Sequence, residues 1–117
     1  MRRLEHMGNI KHVNNAEWQA LEKDPKPTFV DFWAVWCAPC RAMEPTFEKL
    51  ADNFSGQFNF AKVNVDEVPE LAGKFGIRSI PTLILVKDGK VAEQLIGARP
   101  YSELAKVLEA HSTVVTK

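Results

Sequence analysis

Two cysteines, Cys37 and Cys40, are the only thiols of the 117-residue chain, and they lie three positions apart within Trp36–Cys40. Thiols at this spacing can meet, and can form and break a disulfide with little movement of the backbone. The bridge would close a very small loop, which restrains the unfolded chain little and makes a poor structural staple. The pair therefore predicts redox chemistry rather than a stabilising cross-link.

Length and charge exclude several other classes of protein. A chain of 117 residues suits one domain, and 15 basic side chains balance 15 acidic ones, so no large nucleic-acid-binding surface is expected. The longest aliphatic run, Leu83–Val86, is too short for a membrane span. We see no apolar signal peptide, and two cysteines are too few for a secreted disulfide scaffold. We therefore expect a cytoplasmic protein that binds neither nucleic acid nor a membrane, and we also expect a monomer.

The patterns along the chain predict strands that alternate with helices. Asn14 and Glu17 have the spacing of a capping box at a helix start, and Asp88-Gly89 is a hairpin signal between two β-prone runs. We expect residues 1–8 to be a disordered leader or tag remnant, 9–111 to form one domain and 112–117 to form a tail. The expected strands are 9–13, 28–34, 58–65, 80–86 and 91–96, and the expected helices are 15–23, 37–54, 68–75 and 100–111.

The elements that must position the cysteines are a strand before them and a helix after them. The run 28–34 is apolar on both faces and predicts a central strand covered on both sides. Pro45 lies within the helical pattern that follows the cysteines, so we expect a helix kinked there rather than ended. Helices interleaved with strands predict an α/β fold with parallel strands, to which the closing hairpin adds an antiparallel edge.

Four stretches of the chain, in their order, resemble the thioredoxin family. They are VDFWAVWCAPCR at 30–41, KVNVD at 62–66, FGIRSIPTL at 75–83 and KDG at 87–89. The resemblance runs from about Ile10 to His111. It implies the thioredoxin fold, a central mixed sheet with helices on both faces. It also implies a protein disulfide reductase that binds no cofactor, reduces disulfide-containing proteins, and receives electrons from NADPH through thioredoxin reductase.

Two residues of the motif depart from the family pattern. Ala38 stands where the family usually has glycine, so WCAPC replaces WCGPC, and Val35 stands where bacterial members often have an acidic residue. The dipeptide between the cysteines helps to set the redox potential in this family. Pro39 keeps the expected potential on the reducing side, whereas Val35 removes a charge beside the site and is expected to affect the choice of partner.

The two cysteines are expected to have different roles. If Cys37 begins the helix, the unpaired N–H groups and the helix dipole favour a thiolate there, and its pKa is expected below that of a free thiol. Cys40 lies one turn later, and we expect it to be more buried. Cys37 is therefore the expected nucleophile, and Cys40 the expected resolving thiol in a reversible Cys37–Cys40 disulfide.

Asp31 and Lys62 are the other expected catalytic residues. From the residues alone, Asp31 is equally a carboxylate whose side chain reaches solvent. The resemblance implies a buried Asp31 with a raised pKa, which accepts the proton of Cys40. Lys62 is then its charge partner from the neighbouring strand, and the alternative is a surface lysine that packs only its methylenes.

The resemblance also implies a surface that binds the substrate around Cys37. The Ile80–Pro81 peptide bond is expected to be cis, although most bonds before proline are trans, and the Ile80 backbone is expected to pair with an extended substrate. Ile77 and Ile96 belong either to this surface or to the core. The expected substrate-binding residues are Trp36, Ala38, Pro39, Ile80, Pro81, Gly97 and Ala98.

Several alternatives remain beside the reductase. A structural zinc site needs about four ligands, and His6, His12 and His111 show no ligand spacing with the cysteines, so no metal is expected. A non-catalytic interaction domain commonly lacks one of the two cysteines. A thiol oxidase or isomerase usually carries a histidine between them and a targeting signal. A redox-active domain of a larger protein is the further alternative.

Overall fold

The computed structural model describes residues 9–112, whose framework is one five-stranded sheet in the order β1-β3-β2-β4-β5. The strands are β1 (Ile10–His12), β2 (Thr28–Trp33), β3 (Asn59–Asn64), β4 (Thr82–Lys87) and β5 (Lys90–Ile96). The helices are α1 (Asn15–Glu22), α2 (Ala38–Ala42), α3 (Glu44–Phe54), α4 (Pro69–Lys74) and α5 (Tyr101–Ala110). Among these helices, none has the length and apolar character that a membrane span requires. The predicted leader, residues 1–8, and residues 113–117 of the predicted tail lie outside the described residues.

The sheet is mixed, as predicted, and β2 lies at its centre. β1 and β2 both pair in parallel with β3, whereas β4 runs antiparallel to β2 and β5 antiparallel to β4. The β4–β5 hairpin turns at Asp88 and Gly89, whose φ angles are 54° and 76°. Two successive positive φ angles are those of a type I′ turn, whose twist suits a hairpin and which Asp-Gly favours.

Hydrophobic cores cover both faces of the sheet, which explains why β2 is apolar on both sides. Phe29 packs on one face with buried residues of α3 and α5, such as Phe47 and Leu104. Val30 and Phe32 pack on the other face with buried residues of α1 and α4. Because side chains alternate along a strand, Asp31 points to the same face as Phe29, which α3 and α5 cover.

The capping box at the start of α1 is confirmed. The Glu17 N–H donates to Asn14 Oδ1, and the Asn14 N–H donates to Glu17 Oε1, each at 2.9 Å. These two bonds satisfy donors that the first turn of a helix leaves unpaired. The helix then buries Trp18 and Leu21 against the sheet. The capping box and the core contacts therefore both stabilise α1.

The expectation of a single kinked helix after the cysteines is wrong. α2 ends at Ala42, Met43 caps both helices, and α3 begins at Glu44. Pro45 lies in the first turn of α3, where its missing N–H breaks no helical bond, whereas a continuous helix would have lost one there. The cysteines therefore lie at a separate helix of five residues.

A candidate dithiol active site

The two cysteines form a disulfide at the start of α2, directly after β2 ends. Their Cα atoms are 5.2 Å apart. Cys37 is the N-cap residue, with an extended backbone, and its Sγ accepts a hydrogen bond from the Cys40 N–H at 3.2 Å. Cys37 is 4% exposed and Cys40 1% exposed, so both sulfurs are covered in the oxidised chain, Cys40 slightly more. Of the two, the N-terminal sulfur receives a backbone donor.

Local hydrogen bonds explain why the loop between β2 and α2 has this form. The Cys37 N–H donates to the Ala34 carbonyl at 3.2 Å, and the Arg41 N–H donates to the Cys37 carbonyl at 3.1 Å. The Arg41 side chain reaches back over the loop and donates from Nη1 to the Val35 carbonyl at 2.7 Å. The loop is thus attached at both ends, and it places Val35 and Trp36 on the surface.

The Ile80–Pro81 peptide bond is cis and lies beside the disulfide. The Ile80 carbonyl oxygen is 3.8 Å from Cys37 Sγ. The Gly97 N–H donates to the Pro81 carbonyl at 2.8 Å, which brings the end of β5 to the same edge of the sheet. Ile80 and Gly97, which are 43 and 60 positions after Cys37 in the sequence, therefore lie close to one sulfur.

An exposed apolar surface surrounds the cysteines. Trp36 is 68% exposed and Ile96 is 57% exposed, so core packing is excluded for Ile96, whereas Ile77 packs against the buried cluster on the α1 and α4 face. Ala38, Pro39 and Ala98 are also exposed.

Two grooves flank this surface. One, of about 280 Å³, is lined by Trp36, Val65, Ala72, Ile77, Arg78, Ser79 and Ile80. The other, of about 440 Å³, is lined by Pro39, Ala42, Met43, Thr46, Ala98, Arg99 and Pro100.

Asp66 holds the exposed Trp36 in place and was not among the expected site residues. The Trp36 Nε1–H donates to Asp66 Oδ2 at 2.8 Å. The Asp66 N–H in turn donates to Asn64 Oδ1 at 2.9 Å. A signal was present in the sequence, because Asp66 closes the KVNVD stretch that carries part of the family resemblance. Its contact with Trp36 depends on the pairing of β2 with β3.

Asp31 is fully buried in the centre of β2, which excludes the alternative of a carboxylate that reaches solvent. Neither of its carboxylate oxygens has a hydrogen-bond partner among residues 9–112. Burial raises the pKa of Asp31 to about 7, Lys62 opposes this rise, and Glu44 adds to it. A carboxyl group with this pKa exchanges its proton near neutral pH.

Lys62 lies next to Asp31 in the sheet, but its ion pair is with another residue. Asp31 and Lys62 are register partners on β2 and β3. The Lys62 Nζ lies 3.4 Å from Glu44 Oε2 and 4.4 Å from the centre of the Trp33 ring. Lys62 is 6% exposed, so the surface-lysine alternative is wrong. Glu44, four positions after Cys40, was missed because nothing in the sequence places α3 against β3.

The two histidines among the described residues, His12 and His111, belong to no group of three or more possible metal ligands. His111 Nε2 lies 2.7 Å from Glu93 Oε2, far along the chain from the cysteines, and His6 is outside the described residues. Within residues 9–112, no group of three or more histidine, cysteine, aspartate or glutamate side chains could hold a metal ion. The described residues thus offer no such group beside the two sulfurs.

Comparison with known proteins extends the likeness beyond the motif. The family model described as Thioredoxin matches residues 9–110. The thioredoxin of Chlorobaculum thiosulfatiphilum is 47% identical over 97 residues, covering 83% of this chain and 89% of that protein. The thioredoxin of Haemophilus influenzae is 38% identical over 106 residues, covering 90% of this chain and 99% of that protein. A mutant thioredoxin from Halobacterium salinarum NRC-1 superposes with a TM-score of 0.84 at 32% identity, covering 92% and 95% of the two chains.

Proposed function

The chain belongs to the thioredoxin family and is a thiol-disulfide oxidoreductase, and on this basis we propose that Cys37 is the attacking thiol and Cys40 the resolving thiol. In the first step, the Cys37 thiolate attacks one sulfur of a substrate disulfide and the other substrate sulfur leaves as a thiolate. In the second, Cys40 loses its proton and attacks Cys37 Sγ, which releases the second substrate thiolate. The substrate gains two electrons, and the Cys37–Cys40 pair loses them.

One observation carries this assignment: the Cys40 N–H donates to Cys37 Sγ at 3.2 Å. A donor that points at a sulfur stabilises its thiolate form, and Cys37 receives this donor. The exposed apolar surface and the Ile80 carbonyl also lie on the Cys37 side, so a substrate disulfide would reach Cys37 first. Cys40 lies within α2 and becomes the second nucleophile.

We propose Asp31 as the group that accepts the Cys40 proton in the second step. Its complete burial and the absence of hydrogen-bond partners among the described residues support this role, because a carboxylate in that environment binds a proton readily. Its pKa of about 7 supports proton exchange at neutral pH. Lys62 is the nearby positive charge that keeps the ionised form accessible.

We propose that the substrate lies along the apolar surface as an extended segment. The Ile80 backbone would pair with it, and Pro81 has no N–H that would compete for the sulfur. The exposed side chains beside Cys37 would contact the residues on either side of the substrate disulfide. The proposed contact residues are Trp36, Ala38, Pro39, Ile80, Pro81, Gly97 and Ala98.

The family relationship supports disulfide-containing proteins as substrates and a reductase as the electron donor. The finer assignment that we propose is thioredoxin reductase, with NADPH as the source of electrons and no cofactor bound to this chain. We further propose a cytoplasmic monomer. No observation favours the oxidase, the isomerase or the non-catalytic alternative.

Serine variants of the two cysteines test the order of attack. Cys40→Ser incubated with insulin should accumulate a mixed disulfide that is visible on a non-reducing gel and disappears with reductant, whereas Cys37→Ser should accumulate none. The wild-type protein should reduce insulin when NADPH and thioredoxin reductase are supplied. Accumulation of the mixed disulfide by Cys37→Ser alone would reverse the assignment.

A further inference from the structure

Three titratable side chains lie in one row across the sheet. The register pairs His12 on β1 with Lys62 on β3, and Lys62 with Asp31 on β2. Directly paired residues of neighbouring strands present their side chains to the same face of a sheet. This face is the one that α3 covers, and Glu44, the first residue of α3, brings a fourth titratable group to the row.

The row contains one ammonium group for two carboxyl groups. Lys62 Nζ is 3.4 Å from Glu44 Oε2, and the Glu44 side chain is 41% exposed while that of Lys62 is 7% exposed. Glu44 therefore keeps water around its charge, whereas Asp31 has none of its surface exposed. Of the two carboxyl groups, the exposed one remains ionised at lower cost, so the ammonium of Lys62 pairs with Glu44.

We propose that Glu44 is a positioning residue for the resolving step: by holding the Lys62 ammonium, it leaves Asp31 free to take the proton from Cys40. This inference rests on the proposed role of Asp31 as the proton acceptor. The proton passes from Cys40 Sγ to an Asp31 carboxylate oxygen, and the Cys40 thiolate then attacks Cys37 Sγ and expels the substrate thiolate. Without Glu44, Lys62 would turn its full charge towards Asp31 and stabilise the carboxylate.

The surroundings of the pair support this arrangement. A cavity of about 200 Å³ lined by Ile10, His12, Glu44, Phe47, Glu48 and Lys62 brings solvent to the Lys62–Glu44 pair. Burial, and secondarily Lys62, lower the pKa of His12, while Glu44 and Glu67 oppose this effect. His12 is therefore mainly neutral at neutral pH and adds no second cation to the row. Glu44 also contributes to the raised pKa of Asp31, in the direction that the proposal requires.

The test is the variant Glu44→Gln, with Glu48→Gln as a matched control. Both variants lose one carboxylate from α3 and from the lining of the same cavity. Two quantities are measured in the full chain: the titration midpoint of the Asp31 carboxyl carbon by NMR in the reduced protein, and the pH profile of the resolution rate. For Glu44→Gln we expect the Asp31 midpoint to fall by about half a pH unit to one unit. The acid limb of the rate profile should move to lower pH with it, and Glu44→Asp should restore part of the shift.

The outcomes separate this inference from the proposed function on which it rests. An unchanged or raised Asp31 midpoint in Glu44→Gln, or an equal fall in Glu48→Gln, would overturn the role of Glu44. A resolution rate that Asp31→Asn leaves unchanged would instead overturn Asp31 as the proton acceptor, and the NMR midpoint would still report whether Glu44 controls its titration. A loss of stability alone would leave the midpoint where it is and would also count against the proposal.

Discussion

Replacement of Asp31 by asparagine tests by how much a buried, ionised carboxylate lowers the free energy of unfolding. Burial raises the pKa of Asp31 from 3.8 to about 7. Because the folded pKa lies above the unfolded one, the stability that this group contributes is complete below about pH 4 and is lost as the pH rises through 7. A difference of about 3 units corresponds to about 4 kcal/mol, so by about pH 8 the carboxylate has cost the folded state that amount.

Asparagine has nearly the same shape but no charge, so Asp31→Asn removes this pH-dependent cost. The oxidised proteins, with the Cys37–Cys40 disulfide intact, are unfolded in urea and followed by far-UV circular dichroism at about pH 5 and about pH 8. The gain in unfolding free energy of the variant over wild type should be about 3 kcal/mol larger at the higher pH. Asp52→Asn, at an exposed position on α3, is the control and should show little difference between the two conditions.

If Asp31→Asn gained the same unfolding free energy over wild type at both pH values, the reasoning would be refuted. The destabilisation by Asp31 would then not come from its ionisation. A gain that is larger at the lower pH would mean that Asp31 is stabilised as a carboxylate in the folded chain. Its pKa would then be lowered, and its proposed role as the acceptor of the Cys40 proton would lose its physical basis.

Two further predictions concern the scaffold. Phe47 is fully buried, with its ring 6.0 Å from that of Phe29 and 5.6 Å from that of Phe60. Phe47→Ala should therefore lower the free energy of urea unfolding by about 3–5 kcal/mol. A loss below about 1 kcal/mol would mean that neighbouring side chains move in and fill the cavity. Asn14→Ala removes the side-chain acceptor of the Glu17 N–H and should lower the free energy of urea unfolding by about 1 kcal/mol. A variant as stable as wild type would show that the fold does not need this cap.

Local patterns account for the parts of the fold that were predicted correctly. The capping box at Asn14 and Glu17 and the Asp88-Gly89 turn involve residues that are neighbours in sequence, so the sequence contains both partners of each interaction. The apolar character of β2 on both faces likewise indicated a covered central strand. The break at Met43 was not predicted, because the apolar residues keep their helical spacing through it and do not show whether Pro45 kinks one helix or lies in the first turn of a second.

The sequence by itself determined the cysteine pair, since Cys37 and Cys40 lie within one turn of chain and their spacing allows a disulfide. It also carried the family resemblance, in four stretches that follow one another in the family's order. The tertiary structure decided which other groups act on that pair. Burial of Asp31, the pairing of Lys62 with Glu44, and the contact of Trp36 with Asp66 join residues of different strands and helices. The cost of a charge depends on the water and the charges around it in space, and the order of residues along the chain does not specify those surroundings.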